Sequence, residues 1–298
     1  MSLPFAVPPG VPLGALRPGL TEQGALLFRG WGIATLEDFG AFVTAFSGTD
    51  VPFGYSGGAS PRKALGAAGL YSSTEYPPDM ILALHNELSY ADVHPRLLFF
   101  HCIEAAPVGG ETTLGDSRRI LAALDPALVD EFRRKGVRYV RNLSGAKGSG
   151  YSWQDAFETD DPAEAEAQCR RLGAAYEWSD DGYLRMSQVR PATARHPQTG
   201  EEVWFNQADG FHPSALAPAV YEAMLAECGS EERFRLGSSF GDGTPIPRAA
   251  LDHIRSVLSA ETIPHAWHKG DVLVLDNHLA AHGRWPYQGS RKVALAMR

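Results

Sequence analysis

The stretch Leu82-Ala83-Leu84-His85-Asn86-Glu87-Leu88-Ser89-Tyr90 sets an imidazole and a carboxylate two positions apart. On an α-helix, residues i and i+2 point roughly 200° apart and cannot grip one ion. On an extended segment the same spacing turns both side chains to one face. Nitrogen and oxygen donors converging there suit a borderline metal and supply two corners of a two-histidine, one-carboxylate site for non-haem Fe(II). The third corner has to be a histidine from far along the chain. Leu275-Asp276-Asn277-His278-Leu279-Ala280-Ala281-His282-Gly283-Arg284 offers two, His278 and His282, which could share a face. The position of His282, just before a turn feeding the last strand, favours it. His94, His196, His212, His253, His265 and His268 stand beside prolines, in turns or on expected helices. His101 interrupts the apolar run Arg96–Ile103 and reads as a satisfied core residue. His-x-Glu alone recurs by chance, so its weight depends on these partners.

The elements that must hold such a site are mostly short strands. Gly24–Gly30 reads as a buried strand, followed by a helix with a Thr35/Asp38 cap and an apolar stripe of Phe39, Phe42, Val43 and Phe46. Residues 48–80 are rich in Gly, Ser and Pro and lead into the His-x-Glu strand, a natural rim facing substrate. Gly109-Gly110-Glu111-Thr112 turns into another strand. Asp116 caps a helical stretch that Pro126 breaks or restarts and Gly136 stops. Residues 142–161 form a glycine-rich insertion with aromatics, read as a lid, and Asp161-Pro162 opens a helix ending at Gly173. Strands near 183–194 and 202–206 flank a hairpin-like connection at Arg195–Gly200. Helices are expected near 215–228 and 247–260, and strands at Val272–Leu275 and Lys292–Ala296. Short strands with Gly/Pro turns and helices between them predict a mainly β fold, a double-sheet jelly roll with helical decoration.

Composition narrows the function classes. With 298 residues, 44% of them hydrophobic, the chain can form one substantial core, so residues 1–298 are read as a single domain with a lid or insertion around 142–180. A formal net charge of −8 without a basic cluster argues against nucleic-acid partners. Cys102, Cys169 and Cys228 are odd in number and widely spaced, which fits a reducing compartment. The proline-interrupted start lacks a basic region, and no run approaches the ~18 apolar residues of a membrane span. The expectation is a soluble, cytoplasmic protein without membrane partners.

In the last strand, alternation places Arg291, Val293, Leu295 and Met297 on the apolar inward face, with Lys292, Ala294 and Ala296 opposite. A guanidinium pointing inward is costly unless an anion meets it, and its planar fork suits a carboxylate.

His85-Asn86-Glu87, Gly109-Gly110-Glu111-Thr112, Arg195-His196-Pro197 with Val203-Trp204-Phe205-Asn206, Asp276-Asn277, His282 and Arg291 resemble, in order and spacing, the taurine-dioxygenase-like (TauD/TfdA) family of Fe(II)- and 2-oxoglutarate-dependent oxygenases. The branch most similar hydroxylates amino acids for non-ribosomal peptide pathways, as the syringomycin aspartyl hydroxylase does. The resemblance implies a double-stranded β-helix, cupin-like, with His85, Glu87 and His282 ligating iron. It implies that Thr112 and Arg291 hold the distal carboxylate of 2-oxoglutarate, with O2 as oxidant. The implied reaction hydroxylates an amino-acid-like substrate, free or tethered to a carrier protein, and releases succinate and CO2. Asn86 and the insertion aromatics Tyr151 and Trp153 are expected to touch substrate. Two positions depart from the commoner pattern. The carboxylate is Glu rather than Asp, and the second arginine that many members carry four positions after the first is Leu295 here. The same iron site could desaturate, epoxidise or cyclise, and a zinc hydrolase or a non-catalytic cupin-like metal binder could use similar donors.

Overall fold

The computed structural model describes residues 3–54, 62–66, 69–73, 76–147 and 152–298. Two β-sheets face each other. The larger has six strands, in the order Phe5–Val7, Ala25–Phe28, Val272–Asp276, Leu97–Glu104, Lys292–Met297 and Leu70–Ser72. The smaller has four, in the order Ile263–His265, Thr112–Asp116, Ala280–Arg284 and Leu82–His85. Apart from the parallel pair at Phe5–Val7, every pairing in these two sheets is antiparallel. Neighbours distant in sequence lie side by side, and the result is a double-stranded β-helix, or jelly roll.

Period-two alternation sorts the apolar residues between the two faces of the larger sheet. Phe100, Leu273, Leu275, Val293, Leu295 and Met297 point between the sheets, where Leu114 and Ala280 of the smaller sheet meet them. Phe99, Val272, Val274, Ala294 and Ala296 point the other way. That outer face is not exposed to water. The helix Leu36–Ser47 lies on it through Phe39, Phe42, Val43 and Phe46, which explains the alanines of the last strand: small side chains leave room for four bulky ones. The helix starts where the sequence indicated, at a reciprocal capping box between Thr35 and Asp38.

The other helices follow their punctuation. Asp116 caps Ser117–Ala123, Asp125 caps Pro126–Lys135, and Gly136 ends the latter with φ of 67°. Asp161 caps Pro162–Arg171. The region expected to form an insertion builds part of a further four-stranded sheet, Leu236–Phe240, Val137–Leu143, Leu184–Arg190 and Ala175–Trp178. With the helices Trp153–Phe157 and Pro162–Arg171 it buries a separate cluster around Leu143, Phe157, Cys169 and Met186. Among the described residues, no helix is long and apolar enough to cross a membrane.

The strand Ala280–Arg284 runs between Thr112–Asp116 and Leu82–His85, and its register against the latter shifts between His282 and Arg284. Gly283 makes this close approach possible. A β-carbon there would lie 2.4 Å from the Leu82 carbonyl oxygen and 2.7 Å from Thr113 Oγ1. The carbonyl belongs to a paired strand and has little freedom to retreat. Gly283→Ala is therefore expected to destabilise the fold by about 1–3 kcal/mol through overpacking. Urea unfolding monitored by tryptophan fluorescence measures this, and an unchanged midpoint would contradict the tight approach.

Candidate active site

His85 ends its strand and stands opposite His282 in register, so the two imidazoles meet with ring centroids 4.4 Å apart. The extended segment expected to carry both His85 and Glu87 stops at His85. The chain then turns, with Leu88 in the left-handed region at φ 55° and Ser89 N–H donating to the Asn86 carbonyl. Glu87 reaches the imidazoles through this turn rather than through strand alternation. Its Oε2 lies 3.8 Å from His282 Nε2, and one donor atom each from His85, Glu87 and His282 fall within 4.8 Å of one another.

Two buried asparagines hold the turn. Asn277 Oδ1 accepts from Glu87 N–H at 2.8 Å, while its Nδ2 donates to the carbonyls of Glu87 at 2.9 Å and Pro95 at 2.8 Å. Asn86 Nδ2 donates to Ser117 Oγ at 3.1 Å and to the Asn277 carbonyl at 2.7 Å. The peptide groups around Glu87 are thereby tied to the corner that precedes the His282 strand.

The donors are in a state suited to a metal. His85 Nδ1 lies 2.9 Å from the Ala83 carbonyl, which can only accept, so the proton belongs on Nδ1 and the Nε2 lone pair is available. Burial pushes the pKa of His85 down and that of His282 well down, which keeps both rings neutral. His282 Nδ1 is buried with no hydrogen-bond partner among the described residues. Two neutral imidazoles and a carboxylate converging in a buried place are a fitting donor set for a divalent first-row metal.

Beside the triad lies a cationic region. Arg291, just ahead of the last strand, donates through Nε to the Gly110 carbonyl at 2.9 Å and through Nη2 to Thr112 Oγ1 at 3.4 Å. Trp267 Nε1 donates to the same Oγ1 at 2.9 Å. With two N–H groups pointing at its oxygen, the Thr112 hydroxyl is left to donate its own proton. Burial, followed by the nearby Arg284 charge, pushes the Arg291 pKa down to about 10. Arg284 itself donates to the carbonyls of Tyr76 at 3.1 Å, Pro77 at 2.6 Å and Met80 at 2.9 Å, anchoring the rim segment ahead of the His85 strand. Arg291 and Thr112 thus place a guanidinium and a hydroxyl donor side by side.

The remaining expectations fare differently. His278 stacks on Phe205 with centroids 4.8 Å apart and places its Nε2 3.3 Å from His94 Nε2, so the choice between the two histidines resolves geometrically toward His282. His101 is a core residue stacked on Phe39, with Nδ1 3.2 Å from the Asp271 carbonyl. Asn86 braces the turn, and its amide nitrogen is committed to protein partners rather than turned to a substrate. Trp153 is buried in the insertion's own core, edge-on to Trp178 at 5.3 Å, because its helix uses it for packing. Tyr151 lies outside the described residues. Sequence reasoning missed Arg62, Trp267 and Arg284. Only the place of Arg284 two positions after His282, on the same face of one strand, could have signalled any of them.

Residues 12–297 match the family model described as taurine catabolism dioxygenase TauD, TfdA family. The chain belongs to that family. It is an oxygenase that depends on Fe(II), 2-oxoglutarate and O2. The dioxygenase is 40% identical over 278 residues to the dapdiamide synthesis protein DdaC of Enterobacter agglomerans, covering 93% of this chain and 83% of that protein. It is 30% identical over 290 residues to a clavaminate synthase-like protein of Arabidopsis thaliana, covering 93% and 82% respectively. Among solved structures, asparagine oxygenase in complex with Fe(II), 2S,3S-3-hydroxyasparagine and succinate shares the fold, with a TM-score of 0.56 and 14% identity over 96% of this chain and 77% of that one.

The Asn277 bonds make a quantitative expectation for the dioxygenase. Asn277→Ala removes three buried hydrogen bonds and should cost about 3 kcal/mol in urea unfolding. Calorimetric titration with Mn(II) should show affinity falling about 10–100-fold, as for other groups that orient ligands. An unchanged Mn(II) affinity would mean that the turn does not need this brace.

Proposed function

We propose that this oxygenase hydroxylates an amino acid, free or carrier-tethered, in the synthesis of a natural product, with His85, Glu87 and His282 as the iron ligands and Thr112 and Arg291 gripping the distal carboxylate of 2-oxoglutarate. The observation that carries the reading is the convergence of the three donors next to the Arg291–Thr112 pair. The likeness to a protein of dapdiamide synthesis supports the pathway class, and a fold shared with asparagine oxygenase supports an amino-acid-like substrate. Cys102, Cys169 and Cys228 are free thiols, which supports a reducing, cytoplasmic setting.

Bound iron and 2-oxoglutarate would supply the activation of O2, coupled to conversion of the cosubstrate to succinate and CO2. The protein's part is positional. His85 offers Nε2 because Ala83 holds its other nitrogen as a donor. Thr112, fixed by Trp267, points a hydroxyl proton toward an incoming carboxylate, and Arg291 supplies the charge. Phe100, with its ring 5.1 Å from that of His282, lines the same place with an apolar surface that excludes water.

Glu87→Ala and His282→Ala should each abolish succinate formation while the circular dichroism spectrum stays that of the wild type. Arg291→Ala should raise the 2-oxoglutarate requirement at least about 30-fold, the effect of truncating one partner of a buried charged pair. Mass spectrometry for the gain of one oxygen atom, on free and on carrier-loaded amino acids, tests the reaction itself. Full turnover by either ligand variant refutes the assignment.

A further inference from the structure

The Arg62 guanidinium reaches into the triad from the rim that precedes the His85 strand. Its Nη2 donates to Glu87 Oε2 at 2.7 Å, and its side chain is only 4% exposed. The oxygen it meets is the one that also lies 3.8 Å from His282 Nε2, so the guanidinium and the imidazole approach the same carboxylate oxygen. Its charge is felt by both rings. After burial, and for His282 after the neighbouring His85, Arg62 adds to the lowering of their pKa values.

The backbone that follows Arg62 is fixed. Lys63 N–H donates to Ser72 Oγ at 3.1 Å, Ser72 N–H donates to the Lys63 carbonyl at 2.7 Å, and Ala64 bridges Tyr71. Leu70–Ser72 in turn pairs with Ala294–Ala296 of the last strand. Arg62 is thus presented from the edge of the larger sheet, and little ordering remains to be done when a ligand arrives.

The position four residues after Arg291, on the same face of the last strand, is Leu295, fully buried between the sheets. No cation reaches the site from there. We propose that Arg62 binds the free carboxylate of an amino-acid substrate beside the triad. The buried guanidinium places a positive charge next to the triad, and its planar fork suits a carboxylate held by two parallel hydrogen bonds. An α-carboxylate held within reach of Glu87 would also fix how far along the substrate the oxidised carbon can lie. The inference rests on the amino-acid reading above and narrows it to substrates that carry a free carboxylate rather than a thioester.

The test uses the full chain loaded with Mn(II) and N-oxalylglycine, an unreactive analogue of 2-oxoglutarate, so that binding is read without turnover. Calorimetric titrations with the twenty free L-amino acids and their C-terminal amides are compared for the wild type, Arg62→Gln and Arg62→Lys. The wild type is expected to bind at least one acid at least about 30-fold more tightly than its amide. Arg62→Gln should erase that preference by weakening the acid and leaving the amide within about 3-fold, while Arg62→Lys, which keeps the charge without the fork, should retain part of it. N-oxalylglycine affinity should stay within about 3-fold of wild type, and every titration is run at saturating Mn(II), whose own affinity is free to change because Arg62 also bonds Glu87. A preference that survives in Arg62→Gln overturns the proposal. So does a loss confined to N-oxalylglycine, which would assign Arg62 to the cosubstrate, and so does a wild type that binds no free amino acid. In that last case, succinate formation with an aminoacyl thioester would preserve the oxygenase reading, and its absence with every substrate would remove that reading too.

Discussion

Everything at the active site depends on two antiparallel strands meeting in one register, with His282 opposite His85. Side chains alternate between faces, so a slip of one residue would send His282 to the far side of the sheet and carry Arg284 with it. Several features prevent the slip. Gly283 lets the Leu82 backbone approach to a distance that no side chain would allow. Leu84 packs against Ile120 and Ala281, and Asn277 joins the corner before one strand to the turn after the other. The triad is therefore a product of sheet geometry, with a satisfied polar bridge at its end.

The same compactness creates an electrostatic problem, because Arg62 is buried against Glu87, and Arg284 and Arg291 are close enough for one charge to act on the other. Each guanidinium is matched to acceptors of a different kind. Arg284 faces three backbone carbonyls, Arg291 a carbonyl and a hydroxyl, and Arg62 a carboxylate. Backbone carbonyls compensate a cation only partly, and burial holds the Arg284 and Arg291 pKa values below the ordinary arginine range. The surplus of positive charge suits a protein whose cosubstrate is a dianion.

The histidine–carboxylate pair recurs by chance on its own, and it was legible as a candidate because a distant histidine at a suitable place in the strand order accompanies it. Helix boundaries were legible because Thr35, Asp116, Asp161 and Gly136 act through bonds within a few residues of themselves. What stayed hidden depends on contacts across the fold. Arg62 sits in a polar rim that reads as loop chemistry, and only closure of that rim over Glu87 gives it meaning. Trp267 matters because its ring nitrogen finds Thr112, a partner 155 positions away. Asn86 and Trp153 show the converse. Their neighbourhood in the chain suggested contact with substrate, whereas one side chain supports a turn and the other fills an interior of its own.

The bridge between Glu87 and Asn277 spans 190 positions of the chain. Closing so long a loop costs on the order of 5 kcal/mol in entropy, a cost that falls before either end gains from it. Synthesis runs from the N-terminus, so His85 and Glu87 leave the ribosome long before His282 and the asparagine that steadies their turn. A polypeptide that stops short of His282 therefore lacks the third donor of the cluster.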